Sequence, residues 1–296
     1  MRLAITGAGG FVGRTVASHL SDMQFSGEVR LIDREISDHP EFECLEIDLL
    51  DPDALDRALD GVDRVLHLAA LPGGAAQAHP ARSREINLDL SLNLLDRLDG
   101  RRLVYASSIA VFGDQFPPVV DDDTAPHPTS VYGTHKRMVE LAFADAARRQ
   151  VASGVALRLP GIVARPGSAE GFGSAFLSDI FHAVRGGDAY TLPVSRDATS
   201  WLMSASVCAK CLVHALVSDF TDADPIMLPA VRVSMGELVT SAGRHGDSSK
   251  ISFQQDDAIQ RLFASHPPLT TPNAASLGFA SDINLDGLVD NVFAFA

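Results

Sequence analysis

Six short apolar runs punctuate the first half of the chain: Arg2 to Thr6, Val29 to Asp33, Phe42 to Ile47, Arg64 to Ala69, Leu103 to Ser107 and Val155 to Leu159. Runs of this length, bounded by turn-forming residues, predict strands buried on both faces. Between them, apolar positions recur at helical spacing over Phe11 to Met23, Asp53 to Leu59, Ser83 to Leu98 and Val131 to Ala152. Strand alternating with helix predicts an α/β fold with a doubly wound parallel sheet. Past about Arg165 the rhythm changes, and Gly167, Gly171 and Gly173 loosen the chain. Helices are expected over Phe176 to Val184, stopped by Gly186-Gly187, and over Ala205 to Val217. A short strand at Ile226 to Pro229 and mixed small elements follow. The organisation expected is a main domain over 1–165, a segment near 202–230 returning to its sheet, and a smaller interleaved lobe over 166–296.

Charge and composition narrow the partners. Acidic side chains outnumber basic ones 38 to 24, a net charge of −14. That balance argues against a sequence-independent grip on nucleic acid or on an anionic membrane, which needs clustered Lys and Arg. Three cysteines cannot form a disulfide framework, and the opening apolar stretch is too short for a signal segment. The run Val207 to Val217 carries Lys210 and His214 and is too short to span a bilayer. A cytoplasmic protein with a small-molecule substrate is the expectation. Cys208-Ala209-Lys210-Cys211 has C-x-x-C spacing, but on an apolar-faced helix with no further ligand pair it reads as core, and no metal is expected. Asp121-Asp122-Asp123, in the loop Pro117 to Pro128, reads as a solvated turn.

The first strand runs into Thr6-Gly7-Ala8-Gly9-Gly10-Phe11-Val12-Gly13 and then directly into a helix. Glycines at 7, 10 and 13 suit a turn whose backbone N–H groups approach a pyrophosphate at a helix N-terminus. The second strand closes on Asp33, 33 − 13 = 20 residues past the last of these glycines. A carboxylate at that interval accepts hydrogen bonds from ribose hydroxyls and repels a 2′-phosphate, favouring NAD over NADP. Arg34 follows immediately and is the residue through which a 2′-phosphate could still be held.

Tyr132 and Lys136 are four residues apart and share a face of the predicted helix. A free phenol is a poor base at neutral pH, and a neighbouring ammonium favours its ionised form. With them stand Leu66-His67-Leu68-Ala69-Ala70, ending the fourth strand, and Tyr105-Ala106-Ser107-Ser108-Ile109-Ala110-Val111-Phe112-Gly113, ending the fifth. In this order, with the glycine loop, the segments resemble the extended short-chain dehydrogenase/reductases of the NAD-dependent epimerase/dehydratase superfamily, over essentially the whole chain. The resemblance implies a Rossmann-type sheet with a small C-terminal substrate-binding lobe, and Ser108, Tyr132 and Lys136 as catalytic residues. It selects Ser108 over Ser107 because the family's serine or threonine stands five residues before the glycine that here is Gly113. It implies cofactor contacts at Gly7, Gly10, Phe11, Val12, Gly13, Asp33, Asp48, Leu49, Leu68, Ala69, Ala70, Asn87, Tyr132, Lys136, Pro160 and Ile162. For Asn87, a structural bond between helix and sheet is an equal alternative. A homodimer through the helices at 83–98 and 131–152 is also implied.

Within the family, sugar dehydratases carry an Asp-Glu pair after the catalytic Ser or Thr; here Ile109 and Ala110 stand there and cannot transfer protons. Arg158 to Gly167, Leu192-Pro193-Val194 and Trp201-Leu202-Met203-Ser204 resemble the D-erythronate dehydrogenase subgroup, which oxidises the 2-hydroxyl of a short sugar acid with NAD. That subgroup tends to have an arginine where this chain has Thr199, which leaves Arg165 and Arg196 to hold a carboxylate. Trp201 is a substrate contact or a packing residue. A nucleotide-sugar epimerase, using the same residues with retained NAD, is the alternative reaction. A cofactor-binding sensor without catalysis is the alternative class, against which the intact Ser108, Tyr132 and Lys136 weigh.

Overall fold

Alternating short strands and helices build the first of two compact units, formed by Met1–Val111, Ser130–Arg158 and Ala209–Met227. The structure, a computed structural model, describes residues 1–37, 39–167, 173–221 and 224–295. Gly171 lies outside the described residues. In chain order the strands are β1 (Arg2–Thr6), β2 (Glu28–Asp33), β3 (Glu43–Glu46), β4 (Arg64–His67), β5 (Arg102–Ser108), β6 (Ser153–Leu159), β7 (Gly161–Val163), β8 (Tyr190–Leu192), β9 (Thr199–Ser204), β10 (Ile226–Met227), β11 (Val231–Ser234) and β12 (Ile251–Phe253). The α-helices are α1 (Phe11–Asp22), α2 (Pro52–Leu59), α3 (Gly73–Ala78), α4 (Pro80–Ser83), α5 (Leu90–Leu95), α6 (Val131–Arg148), α7 (Phe176–Gly186), α8 (Ala205–Val217), α9 (Met235–Ala242), α10 (Asp257–Phe263), α11 (Pro272–Ser276) and α12 (Leu285–Phe295).

The first unit holds a seven-stranded parallel sheet in the order β10-β6-β5-β4-β1-β2-β3. The chain leaves β1 in one direction for β2 and β3 and returns on the other side for β4, so the order reverses between β1 and β4. Ligands of open α/β sheets bind at that reversal, outside the carboxyl ends of the strands. Leu3, Ala4 and Ile5 in β1 have no exposed surface, the double-sided burial that a central parallel strand requires. On one face Ala4, Ile32, Val65, Leu103 and Ala156 pack with Leu55, Leu94, Val139 and Phe143 from α2, α5 and α6. Buried arginines hold helix ends: Arg30 donates to the Arg57, Ala58 and Asp60 carbonyls at the end of α2, and Arg102 to Ala215 near the end of α8. Guanidinium donors there satisfy carbonyls that a helix end leaves unpaired.

Two expected helices are modified for local reasons. The stretch read as Ser83 to Leu98 contains a π-helical turn, Arg84–Asp89, between α4 and α5. That turn carries Asn87, whose side chain is committed to the Leu71 backbone. The helix read as Val131 to Ala152 stops at Arg148, because Gln150 takes φ +60° and the Val151 N–H turns back to the Ala146 carbonyl. The expected strand Ile226 to Pro229 is shorter, ending at Met227, and pairs parallel with β6 at the sheet edge.

The second unit comprises Phe112–Thr129, Leu159–Cys208 and Leu228–Ala296. It contains a three-stranded sheet, β11-β9-β7, and a parallel pair, β12-β8. Its core joins Phe176, Ile180 and Phe181 of α7, Leu238 of α9 and Leu288 of α12 with Leu202 and Val233 of the sheet. The N-terminus of α9 has a complete capping box between Ser234 and Glu237. Cys208 and Cys211 are buried on α8. Among the described residues, no helix is long and apolar enough to cross a membrane.

Candidate active site

The glycine loop joins β1 to α1 at the carboxyl edge of the sheet, beside the end of β4. A side chain on Gly7 would press into the Leu68-Ala69 backbone, and one on Gly13 would overlap the Gly7 carbonyl oxygen. The loop is also tied to β2: the Gly9 N–H donates to Asp33 Oδ2 at 3.0 Å, and a Cβ on Gly9 would overlap the Glu35 carbonyl oxygen. Gly9, outside the 7-10-13 spacing, is therefore as constrained as its neighbours. Gly10 caps α1 without a side-chain acceptor, and no acid stands in the first turn. Such a helix start offers N–H donors and a positive dipole end to an anion, while the Asp33 carboxylate stands beside it at the end of β2. The residues present therefore fit a dinucleotide, with pyrophosphate at the loop and a ribose at Asp33.

Under the loop, Thr6 Oγ1 and His67 Nδ1 are 2.7 Å apart, and His67 Nε2 lies 3.1 Å from Ser91 Oγ. This buried chain fastens the end of β1 to the end of β4. Burial, with Lys136 nearby, pushes His67 down to about 3, so the ring is neutral at physiological pH. Asn87 is buried, with Oδ1 accepting from the Leu71 N–H at 2.6 Å and Nδ2 donating to the Leu71 carbonyl at 3.0 Å and to Ser83 Oγ. The Asn87 amide thus holds the segment after Ala70, the bond between helix and sheet that was the alternative to a cofactor contact.

Ser108 ends β5, half-buried, and its Oγ accepts the Ala110 N–H at 3.2 Å. Tyr132 is the second residue of α6, whose start Ser130 caps through the Gly133 N–H at 3.1 Å. A Cβ on Gly133 would overlap the Ala110 carbonyl oxygen, so glycine beside Tyr132 lets α6 close on the turn that follows Ser108. One helical turn on, Lys136 is buried, and its ammonium donates to the Ala106 carbonyl at 2.7 Å. Its Nζ sits 5.5 Å from the Tyr132 ring centre and 4.7 Å from that of Tyr105. Burial pushes Lys136 down to about 7, opposed by the charge of Glu140. The arrangement gathers a hydroxyl, a phenol and an ammonium at the carboxyl end of β5, a set suited to moving a proton on or off an alcohol.

Asp48 is exposed and Leu49 buried, the carboxylate accepting the Leu50 N–H at 3.0 Å. In the second unit Pro160 and Ile162 flank Gly161 at the start of β7. Arg165 is half-buried, its guanidinium 3.2 Å from Ser174 Oγ and its carbonyl 2.7 Å from His182 Nε2. Arg196 is exposed over the Phe253 ring. Neither arginine is in an ion pair among the described residues. Trp201, read in the sequence as a substrate contact or a packing residue, has no exposed surface. Its indole N–H donates to Pro267 at 2.8 Å and its ring packs against Phe112, Phe116 and His266, so it is a packing residue.

Residues 3–222 match the family described as NAD dependent epimerase/dehydratase. A D-erythronate dehydrogenase of Haemophilus influenzae is 29% identical, the match covering 100% of this chain and 99% of the relative. One from Cupriavidus necator is 30% identical over 98% and 97% of the two chains. The solved structure of a nucleoside-diphosphate-sugar epimerase from Agrobacterium tumefaciens superposes with a TM-score of 0.87 at 28% identity, over 98% of this chain and 92% of that one. With a family match over most of its length and relatives of the same extent, the chain belongs to the NAD-dependent epimerase/dehydratase family and is a nicotinamide-dependent enzyme.

Proposed function

We propose that the enzyme oxidises a secondary hydroxyl of a small sugar acid, as a D-erythronate-like 2-dehydrogenase using NAD. The observation that carries the reading is the buried Lys136 ammonium beneath the Tyr132 ring, one turn along α6 and at the end of the Ser108 strand. The full-length similarity to two D-erythronate dehydrogenases supports the substrate class. In this reading Ser108 Oγ holds the substrate hydroxyl and directs its proton to the Tyr132 oxygen. Tyr132 removes that proton as general base, and Lys136 favours the phenolate by its charge. NAD, when bound, accepts the hydride released from the same carbon. Gly7, Gly10, Phe11, Val12 and Gly13 present backbone to the pyrophosphate; Asp33 accepts the adenosine ribose hydroxyls and disfavours a 2′-phosphate. By resemblance, Asp48 and Leu49 meet the adenine, Leu68, Ala69 and Ala70 line the pyrophosphate channel, Lys136 also binds the nicotinamide ribose, and Pro160 and Ile162 offer backbone to the nicotinamide. Arg165 and Arg196 are the guanidinium groups available for a substrate carboxylate.

Nucleotide-sugar epimerisation is the second reading, favoured by the 28% identity to the Agrobacterium epimerase. The two differ in net turnover. In a screen of short sugar acids and nucleotide sugars with NAD, and NADP in parallel, sugar acids are expected to yield NADH, with NAD preferred. Failure of every sugar acid together with epimerisation of a nucleotide sugar overturns the reading; a preference for NADP overturns the role of Asp33.

A homodimer is proposed through α5 and α6. Met138 and Leu141 of α6, three residues apart on one helix face, are 44% and 54% exposed. Light scattering is expected to give twice the 31.5 kDa of one chain. A Met138→Asp, Leu141→Asp variant is expected to be monomeric; a wild-type mass of one chain would count against the proposal.

A further inference from the structure

Glu140 lies one turn beyond Lys136 on α6, and its side chain has no exposed surface. A buried carboxylate is costly unless its lone pairs are filled, and all of them are. Oε1 accepts from Ser107 Oγ at 2.6 Å and Arg158 Nε at 3.0 Å; Oε2 accepts from Arg158 Nη2 and Arg137 Nη1, both at 3.0 Å. One carboxylate thus joins α6 to β5 and β6. The β5 residues it fastens are the ones the site uses: Ala106 holds the Lys136 ammonium, Ser107 bonds Glu140, and Ser108 follows.

We propose that Glu140 is a positioning residue of the Tyr132–Lys136 site, fixing the 106–108 strand against α6 and supplying the counter-charge that keeps the buried Lys136 ammonium protonated. The proposal rests on the reading of Tyr132 and Lys136 as the reacting pair. The groups facing Lys136 leave that task to Glu140. From β4 comes His67, held neutral, and from β5 the Tyr105 phenol, pushed well above its ordinary range by burial. From α6 come Tyr132 and Glu140, with Arg137 and, from β6, Arg158 behind the carboxylate. Among the described residues Glu140 is the acid acting on Lys136, and it opposes the burial that drives the ammonium down. Arg158 and Arg137 share its field, so the carboxylate is held in place at the expense of part of its pull on Lys136.

The chain has three lysines, Lys136, Lys210 and Lys250, so a protein labelled with ε-13C lysine gives three signals, and Lys136→Met identifies the one of interest. In the cofactor-free protein, Glu140→Gln is expected to lower the Lys136 midpoint by about one pH unit. Arg158→Met, which frees the carboxylate's field, is expected to raise it, and Glu140→Asp to fall between Gln and wild type. A residue that only braced the fold would not move the midpoint in opposite directions in two variants. An unchanged midpoint in folded Glu140→Gln, or a shift of one sign in both variants, overturns the proposal. If Glu140→Gln does not fold, the Arg158→Met and Glu140→Asp shifts decide it. In turnover, the alkaline limb of the kcat profile is expected to move down in Glu140→Gln with KM little changed. The titration needs no substrate: opposite shifts with full activity in Tyr132→Phe would retain Glu140 as the Lys136 counter-charge and reject the catalytic reading instead.

Discussion

Tyr132→Phe is expected to lower kcat for sugar-acid oxidation by about 100- to 10,000-fold, the usual contribution of a positioned general base. NADH affinity, read by fluorescence titration, is expected to stay close to wild type. The substitution removes one oxygen and keeps the ring that packs beside Gly73 and over the Lys136 ammonium. No other phenol can substitute. Tyr105 is fully buried and pushed well above its ordinary range, and Tyr190 is pushed well above it too, by burial and the Asp179 charge. With three tyrosines in the chain, the assignment is testable by a single variant. A variant retaining activity within tenfold of wild type would show that another group takes the proton, and would favour a role for Tyr132 in binding alone.

The parts of the site legible in the sequence are those whose reasons are local. Strand, glycine loop and helix follow one another within 1–22, and the strand ending on Asp33 is continuous and apolar, so both ends of the proposed dinucleotide site are visible as patterns. Tyr132 and Lys136 are visible because helical spacing alone puts them on one face. Gly9 is not visible in the same way, since what forbids a side chain there is the Glu35 backbone beyond β2. Glu140 reads in sequence as an ordinary helix charge. Its burial depends on Ser107 and Arg158 arriving from two strands, 33 and 18 residues away. Trp201 shows the converse: its chemistry suits a ligand wall, and its placement in β9 among Phe112, Phe116 and His266 removes it from solvent. In the second half, α9 starts on the capping box Ser234-Met235-Gly236-Glu237, in a stretch expected only to hold mixed small elements. The strand partners β7, β9 and β11 were not readable, because runs of three to six residues do not specify which strand they join.

Acid is expected to destabilise the protein well above the pH at which carboxylates titrate, because two histidines are folded in as neutral rings. Burial pushes His67 to about 3 and His266 to about 4. Each is fully neutral in both states above its unfolded value near 6.5, and there its contribution to stability is complete. As pH falls through 6.5 the unfolded chain takes up protons that the folded rings refuse, so stability declines until the folded values are reached. Each ring then contributes a slope approaching about 1.4 kcal/mol per pH unit, and the whole window for His67 amounts to about 4–5 kcal/mol. Urea unfolding followed by circular dichroism between pH 6.5 and 5 is expected to show this fall, and His67→Gln, which keeps a polar partner for Thr6 and Ser91, to reduce its slope. The lone tryptophan, 4.6 Å from His266, reports the second unit separately. The same experiment bears on the site. Protonating His67 would add a second cation beside Lys136 and reverse the Thr6–Nδ1 hydrogen bond under the glycine loop, so NADH affinity is expected to fall with stability in acid. A flat stability profile from pH 6.5 to 5, or a His67 ring that titrates normally by NMR, would remove the basis for that coupling.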